Sequence, residues 1–285
     1  MKIPAPKIGD LVKRTIIVAY REDTSALEQA LQAEGLIPEV QRPTYTQEQM
    51  RYSRTIRCLL NHSAAWRKAA ETPGCTLVVE ADFVPCSGLA ALPAPFDPAR
   101  HGPLAWAFLY AGGPRLLDVS EAPFLQGHAS CPVALLVSPG VAPHLVAFAE
   151  RLLRETPDLA AYSQWDTIFQ WHIMGSGARC YMPWRHYGEH GGLPNPEHNS
   201  TSAGLVARLG LAGNHHAECL MGPLAFLPPY AQGSRGRFLR TRLVAKLVGL
   251  GRACSRRVVP PDQPMPPQLR LRAHILAFWR LCSIY

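Results

Sequence analysis

Two acids separated by one residue follow the most apolar strand candidate of the sequence. Glu80 ends the run TLVVE at positions 76–80, and Asp82 comes two residues later. Residues two apart in an extended segment point the same way, so both carboxylates can face one site. In open α/β sheets, ligands bind beyond the carboxyl ends of strands, and carboxylates there suit Mg²⁺ or Mn²⁺. The spacing is equally compatible with an ordinary arrangement, in which one acid caps the next turn and the other is solvated.

Another acid stands where a helix is expected to begin. Asp166 lies in the segment YSQWDT, residues 162–167, directly before a helical pattern that reaches about residue 174. A carboxylate at such a position can act as a general base. Ser163 and Asp166 also have the spacing of a capping box, which would stabilise the helix by about 1 kcal/mol. The residues leave both roles open.

The most concentrated polar segment is HYGEHGGLPNPEH, residues 186–198. Its spacing His186-x-x-x-His190 is that of a zinc hydrolase, but the hydrolase motif needs a helix to align its two imidazoles. Three glycines and two prolines predict a loop here instead. The alternative to a metal-binding histidine is therefore a glycine-rich surface loop whose histidines are solvated.

The elements that must position these residues alternate between strand and helix. Hydrophobic periodicity predicts strands at 15–19, 38–41, 76–80, 104–110, 133–138 and 178–182, and helices at 24–33, 54–71, 141–155 and 164–174. This alternation predicts an α/β fold with an open, at least partly parallel sheet. The glycine-rich signatures of dinucleotide-binding and P-loop proteins do not occur in the sequence.

Composition excludes several classes of protein. Of the 285 residues, 47% are hydrophobic and 18% are charged, which is typical of a globular chain and not of a disordered or collagen-like one. The N-terminal sequence has no apolar segment of the kind that a secretory signal needs. None of the eight cysteines lies in a CxxC pair, so we expect reduced thiols in a cytoplasmic protein.

Charge divides the chain into two parts. Residues 231–285 hold 11 basic residues and one acid, whereas residues 1–230 hold 18 basic and 20 acidic residues. Because the main part is nearly neutral, we expect no nucleic-acid partner for it. We predict a body over residues 1–212 and a basic, proline-rich C-terminal appendage over 213–285.

The appendage contains two amphipathic segments. Aliphatic and aromatic residues at helical spacing are Leu239, Leu243, Leu247 and Leu250, then Ile275, Phe278, Trp279 and Cys282. Basic residues interleave with them: Arg235, Arg242 and Lys246 in the first segment, and Arg270, Arg272 and Arg280 in the second. Such a pattern suits helices that lie on an anionic membrane surface. Two alternatives stay open, namely packing on the body with arginine stems over apolar surface, and an RNA-binding arm.

One block of the sequence resembles a known family. The stretch RCLLNHSAAW at 57–66, followed by LVVEADFVP at 77–85, resembles glycosyltransferase family 25, the lipopolysaccharide and collagen sugar transferases. The family pattern is a helix Gly-Cys-x-x-Ser-His-x-x-x-aromatic and a strand ending Leu-Glu-Asp-Asp. Cys58, His62 and Trp66 keep the helix pattern, whereas Arg57, Asn61 and Ala81 replace its Gly, its Ser and the middle acid. Segments LAWAFLYAGG and GHASCPVALLVSPGVAPHL fit more loosely, and the resemblance covers roughly residues 14–190.

The resemblance implies a GT-A fold that binds a nucleotide-sugar donor, UDP-linked, and a divalent cation. Asp82 would hold Mn²⁺ or Mg²⁺, with Glu80 sharing the metal or meeting the donor ribose. His190 would complete the metal shell. Tyr20 and Arg21, directly after the first strand, would meet the base and the phosphates; as surface residues of a loop they could equally have no such role.

The same resemblance implies a base and an acceptor side. Asp166 would take the proton of the acceptor hydroxyl in an inverting transfer, and Trp165 would stack on a sugar ring. His186 and Glu189 would contact the acceptor, with His186 as the alternative metal ligand. The acceptor is expected to be a cell-surface glycan or a lipid-linked one, which places the enzyme on the inner face of the membrane.

Two other functions remain open at this point. Because the acid motif has lost its middle residue, the chain could be a non-catalytic relative that binds a nucleotide sugar or a glycan. A divalent-metal hydrolase is the second alternative.

Overall fold

A computed structural model describes residues 5–119, 124–192, 216–231, 233–255 and 266–285. The strands are β1 (Val12–Val18), β2 (Pro38–Gln41), β3 (Cys75–Glu80), β4 (Phe83–Pro85), β5 (Ala105–Phe108), β6 (Gly112–Asp118), β7 (Phe124–Ser130), β8 (Ala134–Val137), β9 (Arg179–Pro183) and β10 (Gly188–His190). The helices are α1 (Ile8–Leu11), α2 (Ser25–Ala33), α3 (Arg54–Ala70), α4 (Pro98–His101), α5 (Ala142–Glu155), α6 (Trp165–Gly175), α7 (Arg235–Cys254) and α8 (Pro267–Leu281).

Within the described residues, eight strands form one sheet in the order β2-β1-β3-β8-β5-β9-β7-β6. Strands β7 and β8 run opposite to the others, since each pairs antiparallel with its neighbours. The pairs β1 with β2, β1 with β3 and β5 with β9 are parallel. The expected α/β fold with a partly parallel sheet is therefore confirmed, and so are all six predicted strands.

Helices cover both faces of the central strands. In β3, Val78 belongs to a core that contains Trp66 of α3 and Phe169 of α6. Its neighbours Leu77 and Val79 face a second core on the other side. A strand that is buried on both faces must be apolar at successive positions, which explains the continuous TLVV run.

A strand forms where the sequence predicted only a loop. Residues 188–190 pair antiparallel with β4 as a separate two-stranded ribbon, with His190 opposite Phe83. Gly188 permits this close approach, because a Cβ at that position would lie 2.3 Å from the Phe83 ring. The glycine that argued for a loop is therefore required by the pairing itself. Residues 193–198, the rest of the predicted loop, lie outside the described residues.

The C-terminal helices pack against the body. Ala253 of α7, together with Ala273 and Ala277 of α8, belongs to the same core as Trp66. The domain boundary that we predicted at residue 212 falls outside the described residues. None of the helices in the described ranges is both long enough and apolar enough to cross a membrane.

Two of the arginines that we counted toward a membrane-facing pattern, Arg242 and Arg280, lie in the interior instead. Arg242 Nη1 lies 3.3 Å from Glu189 Oε2, and Arg280 Nη2 lies 3.6 Å from Glu218 Oε2. A buried guanidinium needs such a carboxylate partner, and a helical wheel cannot show on which side the partner stands.

Candidate active site

The acid pair lies at the carboxyl end of β3, as predicted. Glu80 is the last residue of β3, and its amide donates to Val133 O at 2.8 Å. Asp82 lies in the turn between β3 and β4. The amide of Ala81 donates to Val18 O at 3.0 Å, which joins this turn to the end of β1. The acids are thus held by backbone bonds to two neighbouring strands.

Both carboxylates and one imidazole converge. Ligand atoms of Glu80, Asp82 and His190 lie within 4.8 Å of one another. His190 reaches Asp82 because β10 pairs with β4, and its Nε2 donates to Asp82 Oδ2 at 2.9 Å. Burial disfavours the charged imidazolium, but the Asp82 carboxylate outweighs it and raises the pKa of His190 to about 9. Burial likewise works against the charged form of Asp82, and His190 holds the pKa of this carboxyl below its usual value.

The Asp82 carboxylate leaves no space for a side chain at Gly192. The amide of Gly191 donates to Asp82 O at 2.7 Å. A Cβ on Gly192 would lie 2.1 Å from Asp82 Oδ2, so any other residue would displace the carboxylate. The glycines of the histidine segment therefore let the chain close over Asp82.

This group of side chains has the properties of a cation site. Asp82 Oδ1 is buried and has no hydrogen-bond partner among the described residues, although buried polar atoms normally have one. Two carboxylates suit a hard cation, and the added imidazole favours Mn²⁺ over Mg²⁺, which prefers oxygen ligands. Glu80, Asp82 and His190 therefore fit the metal that the family resemblance implies.

Helix α3, which carries part of the stretch that resembles family 25, contacts the acid pair through His62. His62 on α3 is fully buried at 0% exposure, and its Nε2 donates to Glu80 Oε1 at 2.9 Å. The rings of Trp66 and Trp165 lie 5.5 and 5.4 Å from the His62 ring and fix its orientation. Asn61, one residue earlier, donates to Ala19 O at 2.9 Å. His62 and Asn61 were not among the predicted site residues, although the resemblance contained both positions.

We expect the hydrogen bond from His62 to Glu80 to contribute to metal affinity. Loss of such an outer partner typically weakens metal binding about 10–100-fold. His62→Ala should therefore raise the Mn²⁺ dissociation constant by about tenfold or more. His62→Gln, whose amide can donate from nearly the same position, should recover most of the affinity. Calorimetric titration of both variants with Mn²⁺ measures the difference; equal, unchanged affinities would contradict a positioning role.

Asp166 stands at the start of α6, but not in the predicted capping box. The helix begins at Trp165 and its N-cap is Gln164, one residue later than the expected Ser163. The Ser163 amide donates to Thr55 Oγ1 at 3.1 Å. Asp166 thus occupies the second helical position, where its charge favours the positive end of the helix dipole.

Glu80, Asp82 and Asp166 all influence the same two thiols. Desolvation raises the pKa of the Cys58 and Cys131 thiols well above the usual value, and the charges of Glu80, Asp82 and Asp166 raise both further. Asp166 therefore lies near the same two thiols as Glu80 and Asp82, and its role as the base stays a prediction. Without a bound metal such thiols stay protonated near neutral pH and are poor nucleophiles. Cys58 also lies close to His62 and Glu80, with ligand atoms of the three residues within 4.8 Å of one another.

Trp165 is a core residue. Its side chain is 2% exposed and its Nε1 donates to Thr55 O at 2.8 Å. The ring packs on Trp66 and Phe169, with centroids 6.1 and 6.0 Å away. This position argues against the predicted stacking on a sugar and assigns Trp165 the task of holding His62.

Tyr20 and Arg21 lie at the same edge of the sheet as the acids. They follow β1, whose last residue Val18 pairs with Glu80. The Arg21 guanidinium lies over the Tyr20 ring, 4.8 Å from its centroid, and the ring is 5.5 Å from that of Tyr45. Arg21 is exposed and Tyr20 partly so. The pair thus follows the strand end that neighbours Glu80, and its contact with a nucleotide stays a prediction.

His186 and Glu189 lie inside the protein, which argues against acceptor contact. Glu189 has 0% exposure and accepts from the Ala217 amide at 2.8 Å, besides its ion pair with Arg242. His186 is also buried; the Ala111 amide donates to its Nδ1 at 2.9 Å. Burial and the nearby Arg280 lower the pKa of His186, so its ring stays neutral. Both side chains hold the interior around β10.

Comparisons with known proteins identify no family for this chain. The chain matches no protein-family model, and no curated protein matches it significantly.

Proposed function

We propose that this chain is a glycosyltransferase with a GT-A-like fold. It would move a sugar from a nucleotide-diphosphate donor, UDP-linked, to a hydroxyl of a cell-surface glycan or lipid-linked acceptor. The observation that carries the proposal is the convergence of Glu80, Asp82 and His190 at the sheet edge, with an unpartnered carboxylate oxygen. The resemblance of residues 57–85 to family 25 names the chemistry that such a site would perform.

The donor would lie across the ends of β1 and β3. Tyr20 offers an aromatic face to the base, and Arg21 offers a cation to the diphosphate. Glu80, Asp82 and His190 would hold Mn²⁺, which when bound supplies neutralisation of the charge on the leaving diphosphate. His62 keeps the Glu80 carboxylate oriented toward the site. Arg21 and the metal-site residues would thus contact the leaving diphosphate from one side.

The acceptor would approach from the side of α6. Asp166 would take the proton from the acceptor hydroxyl while the oxygen of that hydroxyl bonds to the anomeric carbon. The bond from that carbon to the diphosphate oxygen breaks in the same step, and the nucleotide leaves with the electron pair. Attack from the side opposite the leaving group inverts the anomeric centre.

Release of UDP from UDP-sugars tests the proposal. The wild-type protein, incubated with several UDP-sugars, should release UDP with Mn²⁺ and lose this activity in EDTA. Donor binding with no turnover for any sugar, even with candidate acceptors, would favour the non-catalytic relative. Metal-dependent hydrolysis of simple phosphoesters without UDP release would favour a hydrolase.

Asp82→Asn should separate metal binding from folding. Because loss of outer partners alone weakens metal binding about 10–100-fold, loss of a ligand carboxylate should weaken Mn²⁺ binding at least about 100-fold. Glu150→Gln is the matched control, since Glu150 forms an exposed ion pair with Arg67 on α3. Titration with Mn²⁺ measures both variants. Equal affinity in Asp82→Asn and in the wild type would refute this metal site.

A further inference from the structure

The two C-terminal helices present apolar residues to the outside of the molecule. Eight large hydrophobic side chains on them are between 39% and 64% exposed: Leu239, Leu243, Leu247, Leu250, Leu271, Ile275, Phe278 and Trp279. The opposite sides of these helices, which face the body, hold small residues and arginine: Ala245, Gly249, Ala253, Ala273, Ala277, Arg242 and Arg280. We call the outward set of eight side chains the apolar face.

This distribution is the reverse of an ordinary surface helix, which turns its leucines inward and its arginines to solvent. Gly249 shows why the small residues point inward: a Cβ there would lie 2.5 Å from Glu218 Cγ and 2.7 Å from Leu281 Cδ2. The close approach of α7 to α8 and to the body leaves the eight side chains of the apolar face outside, whereas Leu269, Leu276 and Leu281 pack partly buried against the core. On each helix these side chains recur at helical spacing, so each helix carries an exposed apolar stripe, and exposed apolar surface of this kind marks an interaction site.

Internal ion pairs keep the apolar face turned outward. Arg252 Nη1 lies 3.1 Å from Glu218 Oε1, and Arg280 approaches the other oxygen of the same carboxylate. Burial opposes ionisation of Glu218, yet its hydrogen bond with His186 and the two arginines lower the pKa to about 2. Lys246 Nζ donates to Leu281 O at 3.4 Å, which ties α7 to the end of α8. The helices are thus fixed to the body by their polar side.

The charge of α7 and α8 indicates which kind of partner binds the apolar face. Neither α7 nor α8 contains an aspartate or glutamate, and Arg235, Arg240 and Arg272 are exposed beside the leucines. A second copy of this chain would bring an equally basic surface against the first, which like-charge repulsion disfavours. Nucleic acid would need arginines and not leucines at the centre of the contact. An anionic bilayer satisfies both components, since acyl chains accept the apolar side chains and headgroups attract the arginines.

We propose that the apolar face of α7 and α8 binds the surface of an anionic lipid bilayer. The leucines and Trp279 would enter the boundary between headgroups and acyl chains, and the exposed arginines would meet the headgroups. This binding does not depend on the proposed transferase activity, because none of its residues belongs to the acid site. It would bring that site to acceptors in or on the membrane.

Vesicle sedimentation tests the surface. We expect the full-length protein to sediment with vesicles of phosphatidylcholine and phosphatidylglycerol, less with phosphatidylcholine alone, and less at raised salt. Leu243→Glu with Leu247→Glu should weaken partitioning by at least about tenfold, since charged side chains enter lipid at high cost. Arg235→Gln and Arg240→Gln should each weaken it about fivefold on anionic vesicles. Ile37→Glu, a change of the same kind at an exposed position outside these helices, should leave binding unchanged.

Point variants are preferable to removal of residues 231–285, because truncation would leave Glu189 and Glu218 buried without their arginines. Circular dichroism confirms that each variant folds. Unchanged vesicle binding in the leucine variants would overturn the proposal. It would also be overturned if sedimentation velocity showed a dimer that these variants dissociate, or if they abolished binding to single-stranded RNA and not to vesicles.

Discussion

Asp166→Asn is expected to lower kcat by about 10²–10⁴-fold, the usual contribution of a general base. The amide keeps the shape of the side chain and its place in the second position of α6 but cannot accept a proton. Mn²⁺ affinity and the KM for the donor should change little, because Asp166 is not one of the three metal-site residues. Steady-state UDP release, measured with donor and metal at saturation, checks the expectation.

A structural role for Asp166 predicts a different result. If its carboxylate mainly stabilises the start of α6, removal of the charge should cost about 0.3–1 kcal/mol of unfolding free energy and leave kcat near the wild-type value. Asp158→Asn is the control, since Asp158 lies on the exposed loop before α6 and caps a local turn through the Ala160 amide. Retained turnover in Asp166→Asn would remove the base from the mechanism and leave the metal site untouched.

Arg242→Ala is expected to destabilise the protein by about 3–5 kcal/mol, the usual cost of breaking a buried ion pair by removing one partner. Glu189 would remain at 0% exposure without its guanidinium partner, and with the His216 ring, whose Nδ1 lies 3.7 Å from Glu189 Oε1, as a remaining basic neighbour. Because His190 follows Glu189 in β10, we also expect weaker Mn²⁺ binding. Urea unfolding measures the first effect, and metal titration of the folded fraction measures the second.

Two further variants test whether the loss of stability comes from the buried ion pair. Arg240→Ala changes an exposed arginine on the same helix and should alter the unfolding free energy by less than about 0.5 kcal/mol. Arg242→Met combined with Glu189→Gln removes both charges, and replacement of a buried pair in this way is often nearly neutral. The prediction fails if Arg242→Ala is no less stable than Arg240→Ala, or if the double change is as unstable as Arg242→Ala alone.

Long periodic elements were predictable from the sequence, whereas short pairings were not. The helical period of α3 and the β-branched run of β1 are properties of consecutive residues. The ribbon of β4 and β10 joins residues about a hundred positions apart, and each strand has only three residues. No local sequence pattern predicts this pair of strands, because its formation depends on the burial of Glu189 and on Gly188, which lies against Phe83.

The same limit applies to the site. Glu80 and Asp82 were predictable because they follow the most apolar run of the sequence at its carboxyl end, although Asp82 lies in the turn after β3 and not in the extended segment that the period of two assumed. His190 was proposed only by resemblance, and its contact with Asp82 depends on the ribbon. Glu189 was predicted to contact the acceptor, and Arg242 was counted among the basic residues of an amphipathic segment. Their ion pair in the interior connects segments that are 53 residues apart in sequence, which no local pattern shows.

The unequal exposure of the site's two sides has a consequence for altering donor preference. On the side of His190, every position is constrained: Gly192 has no room for a methyl group, and Glu189 is enclosed. On the side of β1, Arg21 is exposed and Tyr20 partly so; their side chains contact each other and Tyr45, and the hydrogen bonds of this segment with Glu22 and Arg42 involve its backbone. Substitutions that retune recognition of the base or sugar should therefore be tolerated on the Tyr20 side, whereas randomising the β10 segment should chiefly yield misfolded proteins.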